Sequence, residues 1–140
     1  MEKNFRIGQS NELIRGGKVF DLHNLYDYKG IILKGSRLLL IFFEPNLQYG
    51  ADQVPILLEF SDVSSLEISP NFGETEMVDL EEMGYKAVGD NDYNWLLDEQ
   101  QATKNDDLFF RFGDRHFIRV NSLVATLREG IRLPVLELNA

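Results

Sequence analysis

The 140-residue chain contains no cysteine. This absence excludes disulfide bonds, zinc–thiolate sites, iron–sulfur clusters and catalysis by a thiol. A chain without cysteine suits a reducing compartment, and the first 17 residues lack the apolar run of a secretory signal. We therefore expect a cytoplasmic protein.

Long hydrophobic runs are also missing. The longest uninterrupted apolar run is six residues, Leu38 to Phe43, whereas a helix that spans a bilayer needs about 20. The sequence therefore predicts neither a membrane segment nor a membrane partner. No repeat, low-complexity tract or Pro/Gly/Ser-rich linker divides the chain, so we expect residues 1–140 to form a single globular domain.

The motifs of several enzyme classes are absent. The two histidines, His23 and His116, are far apart and have no metal-ligand spacing. Gly17-Lys18 is followed by Val19, where a phosphate-binding loop needs Ser or Thr. Neither a dinucleotide-binding glycine pattern nor a G-x-S-x-G nucleophile motif occurs. We therefore predict no cofactor and no catalytic residue, and binding is favoured over catalysis.

Basic residues are few: 14 Lys and Arg face 23 Asp and Glu, which gives a net charge of −9. Residues 74–107, the acidic segment, hold eleven acids against two lysines, so this segment carries the whole excess of nine. An acidic protein repels phosphate backbones, and a nucleic-acid partner is therefore not expected.

Two interpretations of the acidic segment remain open: a solvated face that maintains solubility, or a docking face for a basic protein partner. In size, charge and lack of cysteine the chain is similar to bacterial immunity or accessory proteins that neutralise a basic effector. The similarity implies the second interpretation. The acids that we assign to this docking face are Glu74, Glu76, Asp79, Glu81, Glu82, Asp90 and Asp92.

The stretch GDNDYNWLLDEQ, residues 89–100, partly matches a calcium-binding loop. Asp90, Asp92 and Asn94 occupy alternate positions, but Trp95 stands where an EF-hand needs glycine and Gln101 where it needs glutamate. A looser calcium site made by the first three side chains is an alternative. The favoured interpretation is a turn that caps a helix, and no metal site is predicted.

Several runs have the composition of β-strands. Residues 30–33 and 37–43 form a predicted hairpin around Gly35, and the second run, apolar on both faces, is typical of an interior strand. Residues 108–112 and 116–120 alternate around Gly113-Asp114, which predicts a second hairpin with a two-residue loop. The other candidate strands are 54–60, 63–69 and 131–139.

Two short helices complete the prediction. One begins after Asp92–Asn94 and the other lies between Ser122 and Gly130, because each has a residue suited to capping. Residues 75–83 fit a helix or a strand equally well. The predicted fold is therefore mainly β: an antiparallel sandwich or partly open barrel of six to eight strands with two or three short helices.

A basic group in the second hairpin supports an alternative function. Alternation places Arg111 and Arg119 on the same face of the hairpin, and His116 lies close by in sequence. These three residues are suited to rim a pocket for an anionic small molecule or substrate in a β-barrel. The competing interpretation is that the arginines pair with the acidic segment and tie it to the sheet, while the histidine is a structural residue.

Overall fold

The structure is a computed structural model that describes residues 1–43, 55–72, 79–113 and 115–129. All regular secondary structure within these ranges is β, and they contain no helix. The strands are β1 (Glu2–Lys3), β2 (Arg6–Ile7), β3 (Leu13–Arg15), β4 (Lys18–Phe20), β5 (Asp27–Lys34), β6 (Arg37–Phe43), β7 (Ile56–Ile68), β8 (Leu80–Lys86), β9 (Asp107–Phe112) and β10 (Phe117–Glu129).

Six strands form the main sheet in the order β5-β6-β7-β10-β9-β8, with every neighbouring pair antiparallel. This sheet is a half-barrel, and β1 pairs in parallel with β10 beside it. The short strands β2, β3 and β4 form a separate antiparallel sheet. The prediction of a mainly β, antiparallel protein is confirmed.

The hydrophobic core lies between the two sheets. The small sheet and its flanks contribute Leu13 and Phe20, and the main sheet contributes Phe60, Phe110 and many aliphatic residues, all buried in one cluster. The large rings meet edge to face, as in the pair of Phe60 and Phe110, whose centroids are 6.3 Å apart. A half-barrel exposes an apolar concave face, and the small sheet covers it.

Strand β6 is an interior strand, as its composition predicts. Leu38, Leu40 and Phe42 point into the main core. Leu39 and Ile41 point the other way, into a second cluster with β7 on the opposite face of the sheet. Because both faces are covered, the strand has no polar alternation. Gly35 takes a φ of 59° in the preceding turn, the left-handed conformation for which glycine was expected.

The prediction of a helix between Ser122 and Gly130 is wrong, because residues 117–129 are strand β10. The register between β10 and β7 shifts at Asn121/Ser122. The buried residues of β10 are 118–120, 122, 125 and 127. At the shift, Ser65 and Val63 of β7 lie opposite the adjacent residues Asn121 and Ser122, so the extra residue of this β-bulge is Ser64 in β7. Pairing along the strand outweighs the capping residues that favoured a helix.

The predicted helix after Asp92–Asn94 is also wrong. Residues 95–102 form turns and a single bridge between Tyr85 and Leu97. The aspartates do cap backbone N–H groups, but those of tight turns and not of a helix. In the ambiguous stretch 75–83, the residues from Leu80 onward belong to strand β8.

Two boundaries differ from the prediction. The candidate strands 54–60 and 63–69 are parts of one 13-residue strand, β7. The second hairpin has the predicted pairing, with Ile118 opposite Phe110, but its strands end at Phe112 and Phe117 and its loop is longer than the two residues expected. The predicted strand 131–139 lies outside the described residues.

Candidate functional site

The connection between β8 and β9, residues 87–106, covers the face of the main sheet opposite the core. Tyr93 packs on Phe109 and Phe117, with ring centroids 5.5 and 5.0 Å away. Phe109 and Phe117 stack on each other at 5.2 Å. These aromatic contacts hold the most acidic part of the chain against β9 and β10.

A buried lysine anchors the same connection. Lys86, at the end of β8, has no solvent exposure. Its ammonium donates to the carbonyl of Trp95 at 2.6 Å, lies 3.6 Å from the Trp95 ring centroid and forms a 3.5 Å ion pair with Asp90. A buried cation needs such partners because desolvation of an unpaired charge is costly.

Asp90 and Asp92 build the GDNDYN turn. Their side chains accept the backbone N–H groups of Asp92 at 2.9 Å and of Asn94 at 3.1 Å. The N–H of Asp92 holds the pKa of the Asp90 carboxyl below its usual value, and Lys86 acts in the same direction. No group of three or more His, Asp or Glu side chains in the described ranges is arranged to hold a metal ion.

Both arginines of the alternative site make intramolecular contacts. The Arg119 guanidinium donates to the carboxylate of Asp107 at 2.6 Å and to the carbonyls of Asp90 and Ala87 at 2.7 and 3.0 Å. Burial acts to lower the pKa of Arg119, but Asp107 outweighs it and the pKa is raised. Arg111 donates to the Tyr93 carbonyl and lies 3.7 Å from the carboxylate of Glu82.

His116 makes contacts of a structural kind. Its Nδ1 is 3.5 Å from the hydroxyl of buried Ser69, and its ring meets Phe72 edge on. The Ser69 oxygen accepts the backbone N–H of Phe117 at 2.9 Å, an arrangement that fixes the end of β7 to β10. A histidine activates a serine as a nucleophile from within roughly 2.6–3.2 Å, and a third group usually orients the histidine. Within the described ranges no carboxylate contacts His116.

A cleft of about 940 Å³ lies at the outer edge of β8. One wall is residues 6–12 with Ile14 from the small sheet, and the other is residues 81–83 of β8 with residues 96–100. We call this the edge cleft. Its aliphatic lining side chains are Ile7, Ile14, Met83, Leu96 and Leu97, and its charged ones are Arg6, Glu12, Glu81, Glu82, Asp98 and Glu99.

Side chains and loop backbone close the edge of β8 beneath this cleft. Asn11 accepts the N–H of Met83 at 3.0 Å and donates to the carbonyl of Glu81 at 3.4 Å. Its side-chain amide therefore makes the hydrogen bonds that the backbone of a neighbouring strand would make. Leu97 pairs with both backbone groups of Tyr85. Gly84 permits this approach, because a Cβ there would lie 2.8 Å from the Leu97 carbonyl oxygen. Such closure prevents uncontrolled strand pairing.

Glu99 fixes the floor of the edge cleft. It accepts the N–H of Ile7 and the hydroxyl of Tyr85, both at 2.7 Å, and pairs with Lys3 at 3.2 Å. Burial raises the pKa of Tyr85, and the hydrogen bond to Glu99 raises it further. Glu99 therefore joins the N-terminal strands, β8 and the acidic segment in one structural unit.

The remaining acids of the edge cleft differ in how far they are neutralised. Glu82 pairs with Arg111 from outside the cleft. In the part of the chain that the structure describes, Glu12, Glu81 and Asp98 form no ion pair. Arg6 is the one cation among the lining side chains. The edge cleft therefore has an excess of negative charge that intramolecular pairing does not remove.

The structure distributes the predicted docking residues over several places. Glu81 and Glu82 line the edge cleft, and Asp79 is exposed just before β8. Asp90 and Asp92 lie in the turn at the opposite face and do not line it. Glu74 and Glu76 lie outside the described residues. Three acids that the sequence did not predict as docking residues also line the edge cleft: Glu12, Asp98 and Glu99.

A second cleft, of about 570 Å³, has a different character. Serine and asparagine side chains of β7, β10 and the segment before β9 line much of it, together with exposed Val88 and Leu123. Arg111, His116 and Arg119 line neither cleft. The three residues of the alternative site are therefore held in separate structural contacts.

Comparison of the chain with protein-family models, with curated proteins and with solved structures gave no match. Among the described residues there is no helix with the length and apolar character to cross a bilayer.

Proposed function

We propose that this chain is a non-catalytic binding protein that docks a basic protein partner. The observation that carries the proposal is the unbalanced charge of the edge cleft, where Glu12, Glu81 and Asp98 lack cationic partners among the described residues. Complementary charge on a partner would speed encounter and make the association sensitive to salt. The role agrees with that of an immunity or accessory protein.

Catalysis has weaker support. A catalytic acid, base or nucleophile must be able to reach a substrate. Arg111 and Arg119 are engaged by backbone carbonyls and carboxylates, and His116 contacts buried Ser69. These structural contacts explain why arginine and histidine occur at these positions, and a catalytic role is not needed to explain them.

The test compares captured proteins between charge variants. Immobilised wild-type chain, the double variant Glu81→Lys/Glu82→Lys and the control Glu2→Lys/Asp27→Lys are exposed to one cell extract. Mass spectrometry then identifies the proteins retained at about 0.05 M and at about 0.5 M salt, where the Debye length falls well below 10 Å. Circular dichroism confirms that each variant is folded.

We expect the wild type and the control variant to retain the same basic protein at low salt. High salt should release it, and the Glu81→Lys/Glu82→Lys variant should not retain it. The control carries the same change in net charge, so a difference between the two variants locates the effect. Retention of the same proteins by all three chains would contradict the proposal.

A further inference from the structure

We propose that the edge cleft binds an extended lysine- or arginine-bearing segment of the partner protein. The aliphatic stem of a basic side chain lies on the cleft floor, and its charged head lies among Glu12, Glu81 and Asp98. This inference rests on the proposed function and adds the site and the chemistry of the bound segment.

The shape of the edge cleft supports a segment of chain over a single ion. Its volume of about 940 Å³ is at the upper end of the range for ligand clefts, roughly 300–1,000 Å³. One wall is residues 6–12 with Ile14 and the other is residues 81–83 of β8 with residues 96–100. A trough with two walls suits an extended peptide better than a compact ligand.

The floor matches a long basic side chain. Ile7 and Met83 are buried in the core, and the half-buried side chains of Ile14, Leu96 and Leu97 supply the exposed aliphatic surface. Carboxylates stand around this surface. Lysine and arginine bury their methylene stems on apolar surface and keep the charged head at a polar rim. An acidic or neutral polar segment could match at most one of the two features of the cleft, which are its aliphatic floor and its carboxylates.

The charges that line the edge cleft predict the sign of the charge on its ligand. Five carboxylates and one guanidinium line the edge cleft. Arg111 and Lys3 neutralise Glu82 and Glu99 from outside it. The other three carboxylates form no ion pair in the described ranges and outnumber the single guanidinium of Arg6, so a cationic segment is the ligand that they attract.

Gly8 determines where one of these carboxylates lies. A Cβ at this position would be 1.9 Å from the Glu12 Oε1. The contact involves the end of a flexible side chain, so Gly8→Ala should move the Glu12 carboxylate at little cost to the fold. This substitution alters the cleft without changing the net charge. Gly17→Ala is a matched control, because a Cβ there meets nothing within 4 Å.

The experiment measures binding of defined peptides to the full chain by calorimetry. The probes are a twelve-residue peptide of alternating lysine and serine and the same peptide with glutamate in place of lysine. A third probe replaces lysine with diaminobutyrate, which keeps the charge and removes two methylenes. Burial of one methylene corresponds to about fourfold in affinity, so the shortened side chain should bind at least severalfold more weakly. The glutamate peptide should not bind.

Variants of the chain test whether the lysine peptide binds in the edge cleft. The cleft variant Glu12→Gln/Glu81→Gln/Asp98→Asn should lose about tenfold in affinity for the lysine peptide at low salt, on the scale of three exposed ion pairs. The control variant Glu2→Gln/Asp27→Asn/Asp62→Asn has the same net charge and should bind like the wild type. Gly8→Ala should weaken binding about two- to threefold, and Gly17→Ala should leave it unchanged.

Three results would overturn the inference: no binding of the lysine peptide, equal affinity for lysine and diaminobutyrate peptides, or equal losses in the cleft and control variants. None of them decides the proposed function, because capture of a basic partner that depends on Glu81 and Glu82 is measured separately. If the wild-type chain binds the lysine peptide but captures no basic protein that depends on Glu81 and Glu82, the proposed function alone is contradicted.

Discussion

Lys86 shows how one residue determines the placement of the acidic segment. It is fully buried, and its ammonium is satisfied by the Trp95 carbonyl, the Trp95 ring and the carboxylate of Asp90. Sequence patterns could not have found this role, because a lysine at the end of a strand is ordinarily exposed. The connection between β8 and β9 folds back over Lys86, and the contacts that hold it there form only in the folded protein.

We expect Lys86→Met to lower the free energy of unfolding by about 1–3 kcal/mol, since it leaves a carbonyl and a carboxylate without their donor. Urea denaturation followed by Trp95 fluorescence measures this change, and Trp95 is the only tryptophan. Lys104→Met is the control, because Lys104 is exposed on the same connection. Equal stability of the two variants would show that the buried ammonium is not an anchor.

The buried hydroxyl of Tyr28 leads to a prediction about the stability of the fold at alkaline pH. Burial raises the pKa of its hydroxyl from 10.0 to about 12. The folded state therefore favours the protonated phenol, and this contribution to stability is complete below pH 10 and is lost as the pH rises towards 12. Tyr28→Phe removes the ionisable group while its ring can keep the contacts with Phe42 and Phe112.

We expect Tyr28→Phe to unfold at a higher alkaline pH than the wild type and to have nearly the same stability at pH 7. Circular dichroism during an alkaline titration measures both quantities. If the variant and the wild type unfold at the same pH, ionisation of Tyr28 does not contribute to alkaline unfolding.

Among the elements, strands marked by apolar composition or by regular alternation could be predicted, whereas the strand whose ends resemble the caps of a helix could not. The β5–β6 hairpin and the pairing of residues 108–120 follow from composition and the spacing of apolar residues. β10 was partly mistaken for a helix because Ser122 and Gly130 are residues suited to cap one. It is a strand because it pairs with β7 and β9, and local sequence does not reveal these partner strands.

The interior position of β6 leads to a direct test of the fold. Leu40 is fully buried between β5 and β7, so Leu40→Asp should prevent folding, because an unpaired charge would be buried in the core. Leu33 in the neighbouring strand is 54% exposed, and Leu33→Asp should be tolerated. Circular dichroism and size-exclusion chromatography distinguish the outcomes. A folded Leu40→Asp variant would contradict the assignment of β6 as an interior strand.

The candidate site was only partly predictable for a similar reason. Glu81 and Glu82 belong to the acidic segment and could be proposed from charge alone. Glu12 lies about 70 residues earlier, between β2 and β3, and nothing in its local sequence marks it. It joins the edge cleft because Asn11 binds the backbone of β8. Such long-range contacts are properties of the tertiary structure.

At the scale of the whole molecule, the negative charge is concentrated and partly unpaired. The net charge of −9 arises within residues 74–107, and four acids of this segment line the edge cleft together with Glu12, namely Glu81, Glu82, Asp98 and Glu99. Like charges held close together destabilise a folded protein, and salt screens their repulsion. Among the described residues the carboxylates of Glu12 and Glu81 make no hydrogen bond or ion pair, whereas Asp98 accepts the backbone N–H of Gln101 at 2.9 Å. Acids that cost stability without structural contacts are typical of binding surfaces, where function and stability conflict.

The stability of two charge-removing variants distinguishes the acids that we propose to bind a partner from an acid that maintains the fold. The variant Glu12→Gln/Glu81→Gln/Asp98→Asn should be more stable than the wild type by about 0.5–1 kcal/mol at low salt, because it relieves repulsion and breaks no ion pair among the described residues. The amide that replaces the Asp98 carboxylate can still accept the N–H of Gln101. Glu99→Gln also removes negative charge, yet it should be destabilising, since Glu99 holds Lys3, Tyr85 and the N–H of Ile7.

Urea denaturation at about 0.05 and 0.5 M salt measures both effects, and added salt should reduce the advantage of the triple variant. A triple variant less stable than the wild type would mean that these carboxylates maintain the fold. Stabilisation by the triple variant together with weaker binding of the lysine peptide is the combination expected of carboxylates retained for a partner.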